Sequence, residues 1–300
     1  MLYDIKSEFE TTKQDIIPMN DIEARMMKAK KGNFEIAYNI QSAVDCESIL
    51  ICAIKAVQSP TDHYQIPIIT EKALENIRKT PTFVSADTIY LNEINAAYLK
   101  TQEIIGLMPN RIQSKEKIRK LNPNPFHKDH FKYIHDKDAF LCPSGQYLYF
   151  YKEYNKNNSK TINDEKVKRF YKNYEACKNC KCKNKCFSSK GTHRTIIENG
   201  NKLIMEIKLN MEKPEYKEEY SKRSRVEGPF TTLKEFYNCE NLFITGKQKT
   251  EDRLTLKAVA YNLKRLYNLK LEKQYQENEN TIMNQNLINT TQITLEQAVC

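Results

Sequence analysis

Two aspartates, Asp45 and Asp87, each close a run of residues that reads as a β-strand. In open α/β sheets functional groups collect just beyond strand ends, so two such carboxylates on neighbouring strands can converge on one cation. Mg²⁺ and Mn²⁺ take hard oxygen ligands and keep positions for water and phosphate. A pair of such ions, ~3.5–4 Å apart, stabilises the attacking and leaving oxygens of a phosphoryl transfer together. For either Asp alone a turn or a helix cap is the plainer role. A third acid comes from the segment 220–234, where Tyr220, Arg223, Glu227 and Lys234 fall at i, i+3, i+7 and i+14. On a helix of 3.6 residues per turn these lie close to one face. A face of phenol, guanidinium, carboxylate and ammonium groups suits a metal-bound phosphate backbone: the Glu would ligate metal while Arg and Lys grip phosphates. The alternative is a solvated, charged face.

Four of the nine cysteines crowd into ten residues, Cys177, Cys180, Cys182 and Cys186, and Cys142 precedes them in Cys142-Pro143-Ser144-Gly145. A Cys-x₂-Cys pair with further cysteines nearby is a structural zinc signal. Tetrahedral Zn²⁺ wants four thiolates and five are on offer, with His193 a weaker candidate. Lysines and tyrosines surround them, among them Lys152, Lys168, Tyr171, Lys172 and Tyr174. Lysine would neutralise phosphates and tyrosine would stack on splayed bases. Equally, the aromatics would fill a small zinc-stapled core while the lysines keep it in solution. The histidines show no nucleophile–base spacing. His127, His130 and His135 read as a surface loop, and Cys46 as a buried small residue.

The elements that must position these groups follow from periodicity. Residues 34–44 alternate as a strand with Phe34, Ile36, Tyr38 and Ile40 on one face, and 49–57 is the paired strand across an Asp45–Ser48 turn. Residues 62–79 carry helix-period apolar positions at Ile66, Ile69, Leu74 and Ile77. Residues 82–86 form a short strand, 92–100 a helix and 103–108 a strand. This order predicts an α/β domain with a mixed sheet. After Pro109 the period is lost. A helix is expected from Lys213-Pro214 to about Tyr237, kinked or broken at Gly228-Pro229, and an amphipathic helix over 254–269. The divisions are a basic N-terminal segment (1–32), a first core part (33–109), a basic Cys-rich insertion (110–213), a second core part with the Glu helix and a C-terminal helix (214–270), and a polar, loose tail (271–300).

The 300 residues carry a net charge of +10, which fits a polyanionic partner and also a soluble protein rich in Lys, Asn and Ile for codon reasons. No apolar run approaches the ~18 residues of a membrane span, and the N-terminus lacks the apolar stretch of a signal peptide. The expected place is therefore the cytoplasm, where thiols stay reduced.

Tyr-x₂-Arg-x₃-Glu-x₆-Lys resembles the signature of a large group of bacterial insertion-sequence transposases of the DDE class, and Tyr220, Arg223, Glu227 and Lys234 match it throughout. Residues 37–45, AYNIQSAVD, resemble that family's strand ending in the first catalytic Asp. Ser85-Ala86-Asp87-Thr88-Ile89-Tyr90 resembles the segment carrying the second, and Val226-Glu227-Gly228-Pro229-Phe230 the one carrying the Glu. Residues 260–265, AYNLKR, resemble its closing helix. The resemblance spans about residues 20–269. It departs where Gly228 replaces a usual His, where Thr88 and Ile89 follow Asp87, and where only 44 residues precede Asp45, so the chain reads as a truncated or split copy.

The resemblance implies an RNase H-like fold with Asp45, Asp87 and Glu227 as catalytic metal ligands for Mg²⁺ or Mn²⁺. Tyr220, Arg223 and Lys234 would position DNA, and Cys142, Cys177, Cys180 and Cys186 would hold structural Zn²⁺, leaving Cys182 over. The implied activity is metal-dependent DNA strand cleavage and strand transfer. DNA is the implied partner, with a homodimer admitted and no membrane. The alternative is an inactive remnant that only binds DNA through its zinc-stabilised insertion.

Overall fold

The computed structural model describes residues 16–28, 32–110, 122–156, 166–187, 191–239 and 242–296, with side chains described up to 279 in the last helix. Lys30, Lys31 and the first fifteen residues of the basic N-terminal segment lie outside the described residues, as do residues 297–300 of the tail. Helices and strands intermingle along the chain, as an α/β protein requires. The chain divides into two compact units.

The first unit takes in the described residues up to Thr61, then Ile68–Arg78, then those from Lys222 onward. Its strands are β1 (Arg25–Lys28), β2 (Phe34–Ala37), β3 (Asn39–Val44) and β4 (Ile51–Val57). β1 pairs antiparallel with β2, and β3 with β4, as separate two-stranded sheets. The single strand expected over 34–44 therefore divides at Tyr38. Phe34 and Ile36 are exposed, contrary to the one apolar face that alternation suggested, and Gln41 is buried on β3. The Tyr38 hydroxyl donates to Asp21 at 2.7 Å, an anchor that places the break. Helix α1 (Ile66–Ile77) matches the expected helix; its Ile69 and Ala73 pack on Ala53 of β4.

The second unit comprises Asp62–Pro67 and Lys79–Ser221. Strands β5 (Phe83–Ser85) and β6 (Ile105–Leu107) pair in parallel around helix α2 (Glu93–Thr101), whose N-cap Asn92 accepts from the Asn95 amide. Gly106 lets β6 pass close to its neighbours: a Cβ there would stand 2.9 Å from Met108 and 3.0 Å from Leu99. Then comes the stretch where the sequence shows no clean period. It forms a five-stranded antiparallel meander, β7 (Lys132–Ile134), β8 (Ala139–Leu141), β9 (Tyr147–Lys156), β10 (Lys166–Lys172) and β11 (Thr195–Asn199), in chain order. Between β10 and β11 sit the short helices α3 (Tyr174–Lys178) and α4 (Lys183–Cys186). Helix α5 (Lys202–Asn210) follows, packing Ile204 and Ile207 with Ala96, Leu99 and Met108. Within the first unit β1–β2 and β3–β4 pair as separate sheets, and within the second so do β5–β6 and the meander.

Helix α6 (Pro214–Ser221) leads into a 3₁₀ stretch (Lys222–Val226) and helix α7 (Glu227–Glu235). Helix α8 runs from Lys247 to Glu296, taking the polar segment from 271 into the helix; no Gly or Pro interrupts 247–296. Among the described residues no helix is long and apolar enough to cross a membrane.

The meander's inner face is organised by one buried cation. Arg169 donates to Asp138 at 2.7 Å, and its guanidinium lies 4.2 Å from the centroid of the Phe150 ring. Tyr133 and Tyr171 also donate to Asp138, at 2.7 and 3.1 Å. Burial opposes ionisation of Asp138, but the Tyr133 and Arg169 hydrogen bonds outweigh it and hold the carboxyl below its usual range. Burial and the Asp138 bond push the Tyr133 hydroxyl up to about 12. Asp138's depressed value means that its contribution is complete above the unfolded carboxyl pKa and is lost as pH falls through the folded one. Removing one member of a buried pair strands the other. Asp138→Asn is therefore expected to destabilise the chain by roughly 3 kcal/mol at neutral pH, with a smaller deficit in acid, as read by urea unfolding at several pH values.

Candidate functional site

Asp45 opens the turn between β3 and β4. Its backbone N–H donates to Leu50 O and its carbonyl accepts from Ile49 N, both at 2.9 Å. Its carboxylate accepts from the Ser48 amide at 2.7 Å and from the Ser48 hydroxyl. Ile49 sits at φ 63°, a left-handed conformation that a β-branched residue adopts only under constraint. The constraint comes from α8. Asn262 donates to Ile51 O at 2.8 Å and accepts from Ile51 N at 2.9 Å, and Arg265 donates to Ser48 O at 3.0 Å. Further along, Glu251 accepts from Ala56 N at 3.2 Å.

A β-bulge makes this run possible. Ala43 pairs with Ala53 but Val44 with Ile51, leaving Cys52 as the extra residue. In a regular strand Ile51 and Ala56, one odd and one even, would present their N–H groups to opposite edges; the bulge turns both toward α8. The spans agree, since Glu251 to Asn262 covers about 16 Å of helix and Ile51 to Ala56 about 16 Å of strand.

Glu227 begins α7 in the same unit and is exposed, as is Asp45. Leu233 of α7 shares a core with Ile51 and Ile54 of β4 and with Leu254 and Ala258 of α8. The 3₁₀ residues before Glu227 reach the Asp45 turn: Lys222 pairs with Glu47 at 2.6 Å, and Arg225 lies 3.5 Å from Cys46 O. The Lys222 hydrogen bond holds the Glu47 carboxyl below its usual range. One core and these ion pairs therefore hold the Asp45 turn and the start of the Glu227 helix. Lys222, Glu47 and Arg265 have no role that spacing could show, because each acts through a partner distant in sequence.

Tyr220, Arg223, Glu227 and Lys234 do not share the uninterrupted 3.6-residue helix on which they align by spacing. The 3₁₀ stretch winds tighter, and over five residues it adds a rotation of about 100°. Pro229 explains the interruption, having no N–H for the Arg225 carbonyl. It is tolerated because it falls in the first turn of α7, where it is fully buried. A Cβ on Gly228 would meet nothing within 4 Å, so a larger residue fits there.

Asp87 belongs to the second unit. It is exposed, follows β5 and stands at the N-cap of a 3₁₀ turn, Thr88–Tyr90, without a side-chain capping bond. The buried Asn95 steadies the loop by donating to Tyr90 O at 2.8 Å and His63 O at 2.6 Å. Asp45 and Glu227 are thus carried by one unit and Asp87 by the other.

Cys142, Cys177, Cys180 and Cys186 line one pocket with Phe126, Phe131 and Arg194. Cys182 is not among the lining residues; it caps α4. A tight turn brings Cys142 in: Gly145, at φ 81°, donates to Cys142 O at 2.9 Å, and the Gln146 amide lies 3.4 Å from the Cys142 sulfur. The Cys182 amide lies 3.4 Å from the Cys180 sulfur. Burial pushes the Cys186 thiol up, and Cys177, Cys142 and Cys180 add to this against Arg194. His193 stacks edge-on with Tyr174 and contacts the Thr192 hydroxyl. Among the described residues no three His, Cys, Asp or Glu side chains form a group arranged to hold a metal ion.

Asn262→Ala should leave both the N–H and the C=O of Ile51 without their partners. Each unmade bond of this kind costs about 1 kcal/mol or more, so a loss of roughly 2 kcal/mol in urea unfolding is expected. An unchanged midpoint would show that α8 does not hold this turn.

Neither the curated proteins nor the solved structures include a match to this chain. The family model described as a transposase DDE domain matches residues 141–267, a stretch that begins after both aspartates and takes in the four pocket cysteines, Glu227 and Asn262. That similarity supports a DDE transposase and a role related to transposition.

Proposed function

We propose that the chain is a transposase of the DDE class that cuts and joins DNA in the movement of an insertion sequence. The observation that carries this reading is the one core shared by the strand after the Asp45 turn, the Glu227 helix and α8, within a chain whose residues 141–267 match a transposase DDE domain. Asp45, Asp87 and Glu227 are the proposed catalytic carboxylates, on an RNase H-like arrangement. All three are exposed carboxylates, the donor chemistry that Mg²⁺ and Mn²⁺ select. When bound, the divalent ion supplies electrostatic stabilisation of the oxygens that attack and leave phosphorus.

The chain's own residues orient the reaction. Ser48 fixes one carboxylate oxygen of Asp45 through its amide and its hydroxyl. Tyr220, Arg223 and Lys234 take DNA backbone positions, with Arg223 and Lys234 gripping phosphates. In the reaction itself water attacks a phosphodiester and displaces its 3′-oxygen, leaving a 3′-hydroxyl and a 5′-phosphate; that hydroxyl then attacks a target phosphodiester and displaces the target strand's 3′-oxygen. A homodimer would present two DNA ends together.

Cys142, Cys177, Cys180 and Cys186 are the proposed ligands of a structural Zn²⁺. Four thiols line one pocket, the number and donor type that a closed tetrahedral Zn²⁺ site takes.

Two measurements test these assignments. On supercoiled plasmid with Mn²⁺, the wild-type chain is expected to nick, while Asp45→Asn, Asp87→Asn and Glu227→Gln each lose at least about 100-fold, a scale set by removal of one electrostatic stabiliser. Salt-sensitive plasmid binding with no nicking by wild type would favour the DNA-binding remnant instead. Elemental analysis should find about one zinc per chain, lost in Cys177→Ser and retained in Cys182→Ser. Zinc loss in Cys182→Ser would assign the ligands differently.

A further inference from the structure

The meander of β7–β11 has one covered face and one open face. Val167, Arg169 and Tyr171 of β10 point to the covered side, where α5 supplies Met205 to the core. The alternate residues Lys168, Phe170 and Lys172 point to the open side. There Lys172 stands opposite Tyr149, Phe170 opposite Lys152 and Lys168 opposite Tyr154. A bulge at Phe170/Tyr171 adds Tyr151 as an extra residue of β9. Tyr149, Tyr151 and Tyr154 keep 49, 56 and 55% of their surface in water. Three half-exposed rings in succession on one strand are more than scattered surface apolarity.

The charges on this face are of one sign. The Lys172 ammonium lies 3.4 Å from the Tyr151 ring centroid, and Lys152 lies 5.4 Å from that of Phe170. The two carboxylates of the five strands, Glu153 and Glu198, stand in the Arg169 row of the other face. Glu153 pairs with Arg169, and Glu198 with Lys128 and Lys208.

We infer that the open face of the β7–β11 sheet binds unpaired DNA, stacking exposed bases on Tyr149, Tyr151 and Tyr154 while Lys152 and Lys172 neutralise phosphates. The inference deepens the DNA-processing reading and rests on it for the choice of DNA as ligand. Aromatic rings need the flat faces of bases, and a duplex hides those faces inside its stack. Single strands expose them, and stacking tolerates any sequence. Lysines beside the rings give the backbone a place without a base-specific contact. The three tyrosines span about 17 Å of strand, room for several nucleotides.

The test uses the full chain with an oligothymidylate of about 20 nucleotides, a duplex of equal length and an oligouridylate. The chain has no tryptophan, so its intrinsic emission comes from tyrosine and is quenched when bases stack on these rings. Fluorescence anisotropy of labelled strands gives the affinities. Wild type is expected to bind oligothymidylate more tightly than duplex, with quenching. The triple variant Tyr149→Ala, Tyr151→Ala, Tyr154→Ala should lose at least about ten-fold in affinity and most of the quenching. The triple Tyr→Phe variant, which keeps the rings, should bind like wild type and controls for folding. The pair Lys152→Gln, Lys172→Gln should flatten the salt dependence by about 1.4 in slope.

A triple alanine variant that binds like wild type overturns the inference. So does a preference for duplex, tighter binding of oligouridylate, or no binding of any nucleic acid, the last pointing to a protein partner. Asp45→Asn and Glu227→Gln should bind oligothymidylate as wild type does. Tyrosine-dependent binding in a chain that never nicks would therefore keep this surface and remove the catalytic reading. Nicking with tyrosine-independent binding would do the reverse.

Discussion

The paired hydrogen bonds between Asn262 and Ile51 are the interaction on which the first unit depends. Among the described strands β4 pairs only with β3, and its other edge would present bare backbone groups. Helix α8 fills that place with side chains: Glu251 at one end, Asn262 at the other, and Leu254 and Ala258 in the core between. With the edge closed, Arg265 reaches Ser48 O, and Ser48 in turn fixes the Asp45 carboxylate. The left-handed Ile49 is held at a cost on the order of 1–3 kcal/mol, which the surrounding bonds must offset. The position of Asp45 is thus set by a helix more than 200 residues further along the chain.

The second unit solves a different problem. A five-stranded meander with short strands β7 and β8 has little apolar area, and its inner face is knitted by Arg169, Asp138 and two tyrosines as well as by Leu148 and Ile196. Such a polar knot is stable only when its members are paired, since a buried charge without a partner costs several kcal/mol. The cysteine pocket lies at the edge of the same core, where Cys142 and Cys186 pack against it. A metal there would tie β8 to the α3–α4 hook.

The three proposed catalytic carboxylates are shared between the units, Asp45 and Glu227 in one and Asp87 in the other. The chain passes from the second unit to the first between Ser221 and Lys222, at the start of the 3₁₀ stretch.

Local pattern alone determined a good deal. Apolar and β-branched runs marked β4, β5 and β6, helical period marked α1 and α2, and the Asp45 turn followed from its residue types, because these features depend on neighbours within a few positions. The selection of Cys142 with Cys177, Cys180 and Cys186 came from a family resemblance, and the structure brings those four to one pocket. Other features depended on partners far away in sequence. Phe34 and Ile36 alternate as core residues should, yet stand exposed on a separate two-stranded sheet, because pairing with β1 and not apolarity placed them. The meander leaves no clean alternation in the sequence because its strands mix lysine with tyrosine: one face buries an arginine and the other exposes aromatics, which erases the usual contrast. The bulge at Cys52 and the grip of Asn262 on Ile51 belong to tertiary structure. Each answers a hydrogen-bonding demand made by a distant element, and a demand of that kind leaves no period in the sequence.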